Sequence, residues 1–469
     1  MGPLATGGVI GLIALVLFMT GMPIAFALGL TALASIVLFL DPAQLDIFAK
    51  LVFDSLNDFA LLAIPLFILM GNIFGGSTAS KHLFEAGEAW LSRIRGGLGM
   101  SSVVAAALFA ALTGSSPATA AAIGRVAVPE MQSRGVSARI ATGAVAAGGT
   151  LGILIPPSIT LILYGIAAEQ SIGQLFAGGV VPGIMITVLF CAWIFVATTL
   201  EGRRQRASSP QRDLVASGAG TDRGAGGSTA AGAGAGADPS AYTAPAYTWG
   251  DRVRSLLKVL PFLSIIGAIL YALYAGVATP SEAAAVGVLV VLVLIAIAYR
   301  GITLRGLGHS LLDATNQSTM ILMITTFSAV IGTVLAFLSV PQELALMVTE
   351  LEINKWLVLL VINLVLLVLG MFLPPVGIIV MVTPVLFPLI TALGFDPIWF
   401  GVLMTVNMEI GLITPPVGLN LFVLKGIAPD ISLKDIVLGT LPYVGVLAFS
   451  IFLMSVFPGI VTWLPGLLF

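Results

Sequence analysis

The sequence predicts an all-α polytopic membrane protein made of two inverted-topology repeats, each with a re-entrant helical hairpin and a broken helix. Three observations lead there. The 469 residues are 58% hydrophobic and 9% charged, with a mean hydropathy of +1.10, whereas a soluble domain carries about 25% charged residues. The 53 Gly and 26 Pro are too many for a plain bundle of long helices and call for interrupted ones. Finally, the Lys and Arg fall almost wholly on one side of the threaded chain. A soluble enzyme is excluded by the first observation. A net charge of −2 without a basic block outside one linker leaves nucleic acid no support as a partner.

A helix needs about 20 apolar residues to cross the hydrocarbon core. Apolar segments run at 3–20, 23–40, 59–75, 136–169, 178–200, 256–276, 281–299, 318–338, 398–424 and 437–457. The first has no positive flank and no convincing cleavage site, so it reads as a retained span rather than a signal peptide. Two further apolar stretches, 98–130 and 355–391, are interrupted by TGSSPAT (Thr113 to Thr119) and FLPPVG (Phe372 to Gly377). Such breaks free backbone polar groups, which at membrane depth must be met by protein or a water-filled cavity. Both stretches read as re-entrant hairpins; two ordinary spans each is the competing reading, strongest for the unbroken run 355–372. The charged stretches 77–97 and 300–316 read as helices lying flat at the interface or as simple connecting loops.

Residues 201–255 are Arg-bearing, then rich in Gly, Ala and Ser, then in Pro and Tyr. That composition predicts a flexible linker between a first repeat at 1–200 and a second at 256–469. At a constant offset of 259, Pro129 falls on Pro388, Gly135 on Gly394, and GILIPP (Gly152 to Pro157) on GLITPP (Gly411 to Pro416), while the two breaks coincide. Ten crossings and two hairpins put 77–97, 125–139, 201–258, 300–316 and 425–436 on one side. These segments hold 18 of the 20 Lys and Arg, which makes that side cytoplasmic. Both termini then lie outside, and the hairpins enter from opposite faces, as in the inverted repeats of secondary transporters.

The polar residues at membrane depth are the site candidates. In the first half these are Ser115, Ser116, Pro117 and Thr119 at the hairpin break, then Gly149, Thr150, Gly152, Ile155, Pro156, Pro157 and Ser158. The paired prolines free carbonyls one turn earlier. Hydroxyls and carbonyls together form a hard, uncharged oxygen cage suited to Na+, and a half-helix start attracts an anion. Close helix packing by small residues explains the same composition. In the second half the counterparts are Pro375, Val376 and Gly377 at the break, then Asn407, Gly411, Thr414, Pro415, Pro416, Gly418 and Asn420. Glu409 is the one carboxylate the threading leaves inside a span. It is either a proton or cation site or a neutral structural group. Arg125 either meets a carboxylate substrate or marks topology at the headgroups. The single Cys191 forms no internal disulfide and reads as a core residue. His82 and His309 are too few for a metal site, and without GxxxxGK[ST] an ion gradient is preferred to ATP.

TGSSPATAAAIGRVAVPEM, GGTLGILIPPSI, TPSEAAAVG (Thr279 to Gly287) and NMEIGLITPPVGLNLFV resemble the large membrane subunit of the tripartite ATP-independent periplasmic (TRAP) transporters, from about Gly21 to Ile427. The resemblance implies an elevator-type secondary transporter, with a scaffold and a transport domain, in a bacterial inner membrane. It implies no enzyme activity and no cofactor beyond Na+ as coupling ion. Its partners would be a separate small membrane subunit of about four spans, a periplasmic substrate-binding protein and an organic acid such as a C4-dicarboxylate. Family ion and substrate positions carry over onto Ser115, Ser116, Gly149, Thr150 and Pro156, and onto Gly377, Gly411, Thr414 and Pro416. Family members often carry an acidic residue where this chain has Pro374 or Pro375, which leaves the ligands of the second cation site open. The alternative is a stand-alone Na+- or H+-coupled anion transporter of the same broad plan.

Overall fold

A computed structural model describes residues 1–40, 44–207, 247–299, 303–351 and 353–469. The described residues form α-helices and short helical turns, without strands. The first half contains α1 (Pro3–Met19), α2 (Ile24–Phe39), α3 (Leu45–Leu56), α4 (Ala63–Gly75), α5 (Ala79–Leu91), α6 (Gly97–Thr113), α7 (Ser116–Ser133), α8 (Ala138–Thr150), α9 (Ile159–Ala167) and α10 (Ile172–Ala207). The second contains α11 (Trp249–Tyr274), α12 (Pro280–Leu294), α13 (Leu304–Phe337), α14 (Val340–Glu350), α15 (Lys355–Gly370), α16 (Pro375–Ala392), α17 (Pro397–Leu412), α18 (Leu419–Ile427), α19 (Leu433–Val456) and α20 (Gly459–Leu468).

The offset of 259 seen in the proline motifs extends to the helices. It carries α7 onto α16 residue for residue at both ends, Ser116 to Pro375 and Ser133 to Ala392. It also superposes α5 on α14, α6 on α15, α8 on α17 and α9 on α18 to within three residues. Packing follows the same rule with the halves exchanged. Helix α9 packs on α16 and α18 on α7; α4 packs on α12 and α13 on α2; α5 packs on α11 and α14 on α1. A contact and its mirror contact, both present, are what a pseudo-two-fold relation produces.

Local sequence explains the boundaries. Gly96 and Gly114 flank α6 with φ of +76° and +58°, a region that glycine enters without a Cβ penalty. Pro117 and Pro375 stand in the first turns of α7 and α16, where a missing N–H costs nothing. Thr248 and Thr279 form capping boxes with Asp251 and Glu282 and start α11 and α12. At the charged ends, Arg134 after α7 pairs with Glu88 of α5 and with Glu130. Arg139 of α8 reaches Asp435 of α19 at 2.8 Å.

Several sequence expectations change. Among the described residues, six helices are long and apolar enough to span a membrane by themselves, α16 of the expected second hairpin among them, or seven if the bent pair α3–α4 counts as one, against ten predicted crossings. The shortfall has a physical source: α1 and α2 have 17 and 16 residues, and α8–α9 and α17–α18 are pairs of half-helices. The stretch 300–316 is not a separate interfacial arm, because from Leu304 it continues as one 34-residue helix into the span. The stretch 77–97 does contain a separate helix, α5. The linker is also shorter than 201–255: α10 runs on to Ala207 and α11 begins at Trp249, while positions 208–246 lie outside the described residues. Helices α3, α14 and α20 were not anticipated.

Candidate functional site

The two hairpin tips open onto one cavity of about 430 Å³. Gly114 to Ala118 line it from the first tip and Pro374, Pro375 and Val376 from the second. The rest of the wall comes from Ile68, Gly71 and Asn72 of α4, from Gln317, Met320, Ile321 and Ile324 of α13, and from the two broken helices, among them Ile153, Thr160, Leu412 and Leu419. Of the predicted substrate residues, Ser115, Ser116, Pro117, Pro375 and Val376 meet here. Gly377 is the exception: it does not line the cavity, and a Cβ there would face Ile24 of α2 and Ile324 of α13. Arg125 is exposed on α7 and takes no part in the wall.

The cavity is mostly apolar, with a few polar groups and no charge. Asn72, Thr113, Ser115, Ser116, Thr160 and Gln317 supply its polar side chains, and no lining residue is Asp, Glu, Lys, Arg or His. Helices α7 and α16 both begin at the cavity, and neither N-cap, Ser115 or Pro374, places a side chain on the first-turn N–H groups. Those groups have no intrahelical acceptor. The donors of Ser116, Ala118 and Val376 are therefore concentrated where two positive helix ends converge, an arrangement that suits an anion.

Behind the first tip is a hydroxyl cluster. Thr119 Oγ1 donates to the Ser115 carbonyl at 2.8 Å and lies 2.9 Å from Thr113 Oγ1. Gly152 presses on the same tip: a Cβ there would stand 2.9 Å from the Ser115 carbonyl group. A Cβ on Gly149 would stand 2.7 Å from the Cβ of Ala120. In the second half, a Cβ on Gly411 would stand 2.5 Å from the Gly370 carbonyl group, at the end of α15. Gly152 and Gly411 are the same position of the two repeats, and each seats a broken helix against its own hairpin. Close packing is thus established for these glycines. The breaks themselves are made by Pro156–Pro157 and Pro415–Pro416, both cis. Ser158 caps α9 by accepting from Leu161 N at 3.2 Å. Thr414 donates to the Ile410 carbonyl at 2.6 Å. Ile155 packs under Gly183 of α10, and Pro156 near Gly179.

Two asparagines behave differently from each other. Asn407 donates to the carbonyl and to Oδ1 of Asn363 at 2.9 and 2.8 Å, while its own Oδ1 is buried without a hydrogen-bond partner. An orphaned buried acceptor is uncommon and fits a cation ligand. Asn420 was read as an oxygen donor of the second half, but it crosses to the first. Its amide donates to Ser116 Oγ at 2.8 Å and to the Ala146 carbonyl at 3.2 Å. Glu409 is wholly buried near the end of α17, beside Thr150 of α8. The sequence reading missed Asn72 and Gln317, which have no local motif and become wall residues only when α4 and α13 fold over the tips.

Sequence comparison identifies the family. Residues 11–460 match the family model described as tripartite ATP-independent periplasmic transporter, DctM component. The chain is 35% identical over 440 residues to the C4-dicarboxylate TRAP transporter large permease protein DctM of Pseudomonas aeruginosa, covering 94% of each chain. It is 30% identical to the isethionate TRAP transporter permease protein DctMQ of Oleidesulfovibrio alaskensis, over 95% of this chain and 64% of that one. Among solved structures, the YdaH transporter of Alcanivorax borkumensis shares the fold at a TM-score of 0.54 and 15% identity, over 90% of each chain. This multi-pass membrane protein belongs to the DctM family of tripartite ATP-independent periplasmic transporters, as a large permease of organic acid uptake.

Proposed function

We propose that the chain moves an organic acid through a bacterial inner membrane, coupled to Na+, by carrying the cavity between the hairpin tips from one face to the other. The observation that carries the reading is the convergence of two helix N-termini on a cavity without a charged side chain. A helix end stabilises an anion by about 0.3–1 kcal/mol, and by about 2 kcal/mol in partly buried geometry. Removing a carboxylate from water costs several kcal/mol. Two helix ends therefore fall short, and with no Lys or Arg in the wall the deficit calls for bound cations.

The residues fit that need. Ser115, Thr113 and Thr119 offer only neutral oxygens behind the first tip, and the orphaned Oδ1 of Asn407 supplies one in the second half. Thr414, Gly411 and Pro416 frame the corresponding break. Bound there, Na+ would supply the positive charge that the wall lacks. Ser116 and the free N–H groups orient the carboxylate, and the apolar side chains from α13 exclude water. Helices α4 and α13 belong to a static scaffold against which the hairpins and broken helices slide.

The distribution of Lys and Arg supports cytoplasmic placement of the 201–255 segment and periplasmic termini, with the repeats inverted. The name of the Oleidesulfovibrio relative, DctMQ, supports a small membrane subunit as a partner. A periplasmic binding protein would deliver the acid and fix its identity; C4-dicarboxylate and isethionate, named for the relatives, bracket the class.

The test is uptake into liposomes holding this chain with its small subunit. Accumulation of the binding protein's ligand should require both that protein and an inward Na+ gradient. Equal uptake under a K+ gradient would contradict Na+ coupling, and uptake by this chain alone would contradict the tripartite reading.

A further inference from the structure

Glu409 is used neither by the cavity wall nor by the closure of either break. It lies in the last turn of α17, wholly buried, and neither carboxylate oxygen has a hydrogen-bond partner. No ion pair reaches it among the described residues. A carboxylate in that position requires a compensating positive charge. The hydroxyl of Thr150 stands beside it but donates its own proton to the Ala147 carbonyl at 2.7 Å. A hydroxyl and a carboxyl group therefore share this buried position with no ion pair beside them.

The backbone adds to the same imbalance. Thr150 is the last residue of α8, and Glu409 is three residues from the end of α17. Last turns carry the negative end of the helix dipole. Oxygen is the only ligand type present, and no group of three His, Cys, Asp or Glu occurs among the described residues. A hard monovalent ion fits this set; a transition metal does not. The offset of 259 carries Thr150 onto Glu409, so the two are one position of the repeat meeting its counterpart, and only one of the pair is acidic.

We propose that Glu409 and Thr150 form a further alkali-cation site, apart from those at the hairpin tips, where the C-terminal ends of the two broken helices' first halves meet. There is one such site per chain, and its bound Na+ leaves a neutral pair locking α8 to α17. The proposal rests on Na+ being the coupling ion and adds a site to that reading.

The experiment measures equilibrium binding of radioactive Na+ to the complex of this chain and its small subunit in lipid nanodiscs, with choline replacing Na+ as the control. Glu409→Gln should bind one Na+ fewer than wild type. Glu409→Asp should keep the number of sites with one weakened. Thr150→Val, which keeps the charge and the shape, should weaken one site by about tenfold and decides the matter if Glu409→Gln does not fold. An unchanged number of Na+ in Glu409→Gln, or an unchanged affinity in Thr150→Val, overturns the proposal while Na+ coupling stands. No Na+ binding by wild type overturns the coupling itself and this site with it.

Discussion

Asn420 shows how a residue's surroundings redirect its chemistry. Its position after Pro415–Pro416 suggested an oxygen ligand, but its amide group is committed to Ser116 and Ala146 of the other repeat. Removing it leaves a buried hydroxyl and a buried carbonyl with fewer partners, which costs about 1–3 kcal/mol. Asn420→Ala should therefore lower the unfolding midpoint in detergent, and it should weaken substrate affinity because Ser116 lines the cavity. Unchanged affinity would remove Ser116 from the site. Ser115→Ala and Thr414→Ala should weaken the Na+ dependence of uptake and leave membrane insertion intact; a wild-type Na+ response in both would contradict the cation assignment. Ser115, Ser116, Pro117, Pro375 and Val376 were legible because residues that break a helix at membrane depth mark themselves. Asn72 and Gln317 were not, since each is one polar residue in an ordinary helix and gains its meaning from a distant neighbour.

At the scale of elements, the glycines of the broken helices set the register between each break and its hairpin. Gly411→Ala would push a Cβ to 2.5 Å from the backbone of Gly370, and overpacking of that kind costs about 1–3 kcal/mol. Gly426→Ala, with nothing within 4 Å, is the matched control on α18. Thermal unfolding should separate the two, with Gly411→Ala destabilised and Gly426→Ala at wild-type level. The helix ends at both breaks were readable because Pro, Gly and hydroxyl residues interrupt long apolar runs. Helices α3, α14 and α20 were not, because 10–12 residues are too few to announce a span. The difference between α3–α4, bent by 56°, and the continuous α13 was equally hidden. It shows that the repeats have diverged most in the helices away from the breaks. The first hairpin arm α6 is buried almost throughout, whereas α15 buries only Leu359, Ile362, Leu366 and Gly370, so the second hairpin turns an apolar face outward.

For the whole molecule, α9 packs on α16 and α18 on α7, so on the proposed reading neither repeat completes a transport site by itself. The cavity lies where the two breaks meet. The spacing of the proline motifs made the pairing of the halves legible; the wall from α4 and α13 was not, because lipid-facing and cavity-facing apolar residues are alike in sequence. The most direct test of the transport reading is the accessibility of Ala118→Cys, a cavity position, in a Cys191→Ser background that removes the one native thiol. In sealed vesicles of known orientation, a membrane-impermeant thiol reagent should modify it from the periplasmic face and, in separate vesicles, from the cytoplasmic face, with the balance shifted by Na+. Modification from one face only, whatever the Na+ concentration, would contradict a cavity that travels across the membrane.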